Sequence, residues 1–199
     1  MMTGSGKISA LHARRLLAAF FLLLSLFSLA PAASAAGIET RKVEAHLVGN
    51  TYQFTTDFDI RLNFVVEQAL EQGVPLYFIS EFSLTRPRWY WFDETVVQST
   101  QIIRLSYNTL TRQYRITRGA LFQNFNTLDE AVRIIAHQPS ALVPAGLLTD
   151  DSYVATVRLR LDTSQLPKPL QVNALAGNDW NLDSDRYRWI VHPAEITRD

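Results

Sequence analysis

Cysteine is absent from all 199 residues, which excludes a disulfide framework and any thiolate metal site. A charge of one sign is missing as well, since 19 Lys and Arg balance 19 Asp and Glu. Without a clustered basic excess, nucleic acid is not an expected partner. No repeat of solenoid length and no low-complexity tract interrupts the chain. Catalytic signatures are lacking too: there is no G-x-S-x-G elbow, no phosphate-cradling glycine loop, and no S-x-x-K beyond the N-terminal segment. The reading is therefore non-enzymatic, and no cofactor is expected.

A long apolar run occurs once. Lys7, His12, Arg14 and Arg15 precede a stretch of Leu, Phe, Ala and Ser from Leu16 to Leu29. That stretch is shorter than the roughly 20 residues a bilayer core needs. Pro31 and the small residues Ala33-Ser34-Ala35 follow it, the pattern of a signal peptide cut before Ala36. The expected product is residues 36–199, a single domain in the periplasm. The alternative is an uncut signal held in the inner membrane, because Ala30 to Ala36 lengthen the apolar stretch; only then is the membrane itself a partner. Cleavage removes Lys7, Arg14 and Arg15 but none of the 19 acids, so the mature domain is mildly acidic. Its stability in an oxidising compartment rests on packing, which a chain of this size can supply.

The mature segment is built of short alternating runs separated by Gly, Asn, Asp and Pro, the pattern of an antiparallel β domain. Ile38–Leu47 and Thr51–Leu62 are predicted to form a hairpin through Val48-Gly49-Asn50. Tyr52, Phe54, Thr56, Phe58 and Ile60 share its buried face. Asn63 suits the N-cap of a short helix, Phe64–Gln72, with Val65, Val66, Ala69 and Leu70 inward and Gly73 as its stop. Strands are predicted at Leu76–Leu84, Val96–Tyr107 and Gln113–Phe122. Thr127 and Glu130 have capping-box spacing for a second helix, Ala131–His137, which Pro139 stops. Ser140–Asp151 reads as a loop, Tyr153–Leu161 as a strand, and Leu166–Pro169 as a proline-rich crossing. Leu170–Leu175 and Arg186–Val191 close the strand series. Seven or eight strands with two short helices, after an N-terminal signal helix, predict a mainly β antiparallel sandwich, with the immunoglobulin-like arrangement as candidate topology.

The most distinctive segment is Arg86-Pro87-Arg88-Trp89-Tyr90-Trp91-Phe92-Asp93-Glu94. If extended, it points Trp89 and Trp91 one way and Arg88, Tyr90 and Phe92 the other, with one face in the core. Exposed Trp or Tyr beside Arg is the composition of a surface that binds a protein, a peptide or a sugar ring. Arg86, Arg88, Trp89, Tyr90, Trp91, Asp93 and Glu94 are thus the candidate binding residues. The competing reading is an edge strand packed on the second helix, Trp180 and Trp189. Arg104, Arg112, Arg115, Arg118, Arg158 and Arg160 recur on predicted strands; they form a cationic stripe unless cross-strand carboxylates pair with them, the commoner outcome. A hydrolase would draw its acid from Asp93 or Glu94. His46, His137 and His192 are too far apart in sequence for a metal motif. Asp179, Asn181, Asp183 and Asp185 carry the spacing that opens a calcium loop, but Ser184 and Ile190 stand where Gly and Glu are needed.

Six runs carry a resemblance: Asp57–Asn63, Gly73–Phe78, Leu84–Trp91, Leu105–Asn108, Gln165–Pro169 and Asn173–Leu175. In that order, and over essentially the whole mature chain, the sequence resembles the exported proteobacterial family called domain of unknown function 4390. The resemblance implies a Gram-negative envelope protein and brings no known site residues. It also implies an association with a membrane sensor histidine kinase of the nitrogen-regulation type. The expectation is a periplasmic binding or signalling accessory whose partner is an envelope protein or that kinase. The alternatives are a glycan or small-molecule sensor on the same aromatics, or a cryptic hydrolase.

Overall fold

A computed structural model describes residues 37–90 and 92–196; the predicted signal segment and Trp91 lie outside the described residues. Among them are nine strands and three α-helices, and no helix is long and apolar enough to cross a membrane. The strands are β1 (Gly37–Val48), β2 (Thr51–Arg61), β3 (Leu76–Arg86), β4 (Glu94–Asn108), β5 (Gln113–Arg118), β6 (Leu121–Phe125), β7 (His137–Pro144), β8 (Tyr153–Leu161) and β9 (Tyr187–Val191). The helices are α1 (Phe64–Glu71), α2 (Leu128–Ala136) and α3 (Lys168–Ala176).

All pairings are antiparallel and fall into two sheets, ordered β1-β2-β7 and β6-β5-β4-β3-β8-β9. This is the immunoglobulin Greek key: β1, β2 and β7 take the places of strands A, B and E, and β3, β8 and β9 those of C, F and G. β4 and β5 extend the second sheet as in a variable-type domain, β6 adds a further edge, and α2 occupies the stretch where strand D would run. The tyrosine corner of that fold is also present. Tyr153 opens β8 fully buried, and its hydroxyl accepts the Asp150 backbone N–H at 3.0 Å.

Alternation places Tyr52, Phe54 and Phe58 of β2 against Leu76, Phe78, Phe82 and Leu84 of β3 and Tyr153, Ala155, Val157, Leu159 and Leu161 of β8, all buried. Phe82 is a buried aromatic at the centre of the core on β3. Its ring lies 5.0 Å from Phe54 and 6.5 Å from Trp189. One buried polar contact crosses the smaller sheet, between the hydroxyls of Thr56 and Ser140 at 2.8 Å.

Four local expectations are corrected. The run Gln113–Phe122 is two strands, because Gly119 takes φ +56 and folds it into a hairpin. Residues 140–144 of the expected loop, together with His137, expected to end the second helix, and Pro139, expected to stop it, belong to β7, paired to β2, since Ala141 and Val143 are buried and the prolines sit on a sheet edge. Lys168–Ala176 is a third helix, not a crossing and a strand; Pro169 lies in its first turn, where the missing N–H costs nothing. Val65 is exposed, and α1 buries Val66, Ala69 and Leu70. Both predicted caps hold: Asn63 accepts from Val66 N–H at 2.9 Å and Thr127 from Glu130 N–H at 3.3 Å.

Candidate functional site

Arg86 ends β3 directly opposite Glu94, the first residue of β4, so the aromatic run is the loop of a hairpin and not an extended strand. Pro87 and the turn at Trp89-Tyr90 take the chain away from the sheet. Trp89 is 95% exposed, Tyr90 66% and Phe92 84%. The competing packing on α2, Trp180 and Trp189 is overturned for these three: Trp180 is buried elsewhere, and Trp189 lies against Phe82 and Tyr187. Trp89 and Tyr90 meet edge to face, with centroids 5.2 Å apart and planes at 74°.

The base of the loop is held by charge. Arg88 donates to the Glu94 carboxylate, and Arg86 Nε stands 3.6 Å from the same carboxylate and 2.7 Å from Asp150 Oδ2. Both arginines are only about one-third exposed, so they serve the loop's shape more than its outer surface. Asp93 is exposed on the descending limb. Asp150, which the sequence did not single out, joins this loop to the β7–β8 connection. That connection is joined in turn to the β1–β2 turn by the Ala145 N–H to Asn50 carbonyl bond of 3.0 Å. Strand direction puts all three connections at one end of the sandwich, where Val48 and Leu147 are also exposed.

The arginine stripe is divided. Arg158 makes a bidentate pair with Asp183, and Arg160 reaches Glu81 at 3.2 Å. Arg104 and Arg115 lie over the rings of Tyr77 at 5.9 Å and Phe122 at 4.9 Å, and Arg118 donates to the Ile134 carbonyl at 2.9 Å. Arg112 sits in the β4–β5 turn at φ +53. Burial raises the Asp183 carboxyl, but the Arg158 hydrogen bond and charge, helped by the Asp185 N–H and Arg160, outweigh it and hold it below the usual range. The same hydrogen bond raises Arg158.

The calcium spacing is not assembled into a ligand set. Asp183 is committed to Arg158 and also accepts from the Asp185 N–H at 3.0 Å, while the Asp179 carbonyl accepts from Asn63 at 2.7 Å. Among the described residues, no group of three or more His, Asp or Glu side chains is placed to hold a metal ion. His137 contacts Asp57, and His192 lies 3.1 Å from the Asp151 carbonyl. A polar cleft of about 410 Å³ lies between β8 and the connection after α3, lined by Arg158, Arg160, Trp180, Asn181 and Asp183 among others.

No curated protein and no solved structure matches the sequence. A family model described as a domain of unknown function does match, over residues 35–190, which takes in every strand of both sheets except the last residue of β9. The match spans the aromatic loop, its arginine and carboxylate clamp, and the Arg158–Asp183 pair, and on that basis the chain belongs to the family called domain of unknown function 4390.

Proposed function

We propose that this chain is an exported, non-enzymatic binding domain that docks a protein of the cell envelope through the β3–β4 loop. The observation that carries the reading is the display of Trp89, Tyr90 and Phe92 on a loop whose base is clamped by Arg86, Arg88, Glu94 and Asp150. Large aromatics on a pre-shaped loop are the side chains from which interface hot spots are made, because they bury much area and lose little rotamer freedom. The glycan alternative calls for a concave site, and the cleft described above is lined by other residues. Export is supported by the predicted leader, the apolar run Leu16 to Leu29 followed by the small residues Ala33-Ser34-Ala35. A membrane sensor kinase of the kind implied by the resemblance is one such envelope partner.

The reading is tested by placing a photo-crosslinkable amino acid at Tyr90 and, as control, at Leu110, which is still more exposed, in the β4–β5 turn at the other end of the sandwich. The expected result in intact cells is a discrete protein adduct from position 90, absent from position 110 and lost on Trp89→Ala. The same adducts from both positions, or none from position 90, would refute the reading.

A further inference from the structure

Two sheets have four open edges, here β1, β7, β6 and β9. An open edge offers unpaired N–H and C=O groups to any other strand, and soluble proteins blunt edges with charge, proline or a bulge. Three of the four are blunted. β1 carries Glu39, Arg41, Lys42 and Glu44 and a register shift between Thr40 and Lys42. β7 carries Pro139 and Pro144. β9 carries Arg188, follows Arg186, and is closed by Pro193.

β6 has none of these devices. Its sequence, Leu-Phe-Gln-Asn-Phe, contains no charge, no proline and no glycine, and its first four residues are exposed, Leu121 by 78% and Phe122 by 60%. The register with β5 shows which groups face outward. β5 and β6 are joined by the two-residue turn Gly119-Ala120, so Arg118 and Leu121 close the hairpin. Hydrogen-bonded pairs then alternate along the ladder, and Leu121, Gln123 and Phe125 spend their backbone groups on β5. The N–H and C=O groups of Phe122 and Asn124 point to the open edge.

We propose that β6 is a homodimer edge, pairing antiparallel with β6 of a second copy about a two-fold axis at Gln123. The strand is self-complementary in that register. On the face toward α2 the side chains run Leu121, Gln123, Phe125, apolar–polar–apolar in either direction, so Leu121 meets Phe125 of the second copy. On the outer face Phe122, already held under the Arg115 guanidinium, lies diagonal to its own symmetry mate, within reach of aromatic contact. Phe122 and Asn124 bring their outward backbone groups opposite Asn124 and Phe122 of the second copy, so each pair can exchange both bonds. The two six-stranded sheets become continuous across the axis. The aromatic β3–β4 loop is not used, so the inference is independent of the proposed function.

The absence of native cysteine makes the register directly testable. Across the axis Gln123 faces Gln123 as a non-hydrogen-bonded pair with Cα atoms about 4.5 Å apart, which a disulfide can span. The two Phe122 Cα atoms are roughly 9 Å apart, beyond that reach. Full-length protein carrying Gln123→Cys or Phe122→Cys is oxidised with copper phenanthroline, after unchanged thermal unfolding confirms that each variant folds, and its mass is followed by light scattering. The expected result is a concentration-dependent dimer of the unsubstituted protein, rapid covalent dimer from Gln123→Cys, and little from Phe122→Cys. A strictly monomeric protein at tens of micromolar, a dimer that Gln123→Cys does not trap, or equal trapping of both variants would each overturn the proposal.

Discussion

At the scale of single residues, structure and electrostatics hang on a few side chains whose roles differ from what their types suggest. Tyr153 is a core residue with a polar duty: its hydroxyl holds the Asp150 N–H, and Asp150 in turn faces Arg86 at the base of the aromatic loop. Tyr153→Phe is expected to cost about 1–2 kcal/mol in chemical denaturation by leaving that N–H without its partner. Asp183 has its carboxyl depressed, burial being outweighed by Arg158. A depressed carboxylate stabilises the fold above its unfolded value near 3.9, and the contribution fades as pH falls through the lower folded value. Asp183→Asn is therefore expected to lower stability by roughly 1 kcal/mol at pH 7, with the gap to the unsubstituted protein closing below about pH 4. Glu67 has the opposite sign: burial, then the charges of Glu71 and Asp129, raise its carboxyl. The penalty for ionising it is absent at low pH and appears as pH rises through the raised value. Glu67→Gln should accordingly raise the melting temperature at pH 7 and leave it nearly unchanged at pH 4.

At the scale of elements, legibility followed how far each pattern is local. β2 and β8 were readable because both alternate without interruption, and the caps of α1 and α2 were readable because Asn63 and Thr127 act three residues ahead. β7 was hidden because Pro139 and Pro144 mark a break in sequence but an edge in the sheet. α3 is hard to read because none of its residues is fully buried: only Leu170 and Ala174, one turn apart, pack against the core, and the exposed Val172 and Leu175 blur that period. Strand alternation does not describe the aromatic run, because it lies across a hairpin loop; Pro87 is the sequence signal that β3 ends there. The β5–β6 break rests on Gly119 at φ +56. Gly119→Ala is expected to cost about 1 kcal/mol through that conformation, with nothing within 4 Å of the added Cβ to contribute a clash. A loss well beyond that would mean that the β5–β6 hairpin carries packing not evident in the structure.

At the scale of the whole molecule, the sandwich could be anticipated from strand spacing and turn residues, whereas its strand order depends on contacts far apart in sequence, such as β3 beside β8 and β2 beside β7. The candidate site is legible in sequence as a composition and not as a place: Arg86 to Glu94 is distinctive, but Asp150 and the common end of three connections appear only when the chain is folded. The core is complete without the loop, with Phe82 inside and Trp89, Tyr90 and Phe92 outside. The most direct test is equilibrium unfolding of the triple variant Trp89→Ala, Tyr90→Ala, Phe92→Ala beside Phe82→Ala. The triple variant is expected to stay within about 1 kcal/mol of the unsubstituted protein, while Phe82→Ala is expected to lose about 3–5 kcal/mol. A loss in the triple variant as large as that of Phe82→Ala would place the aromatics in the core and contradict this arrangement.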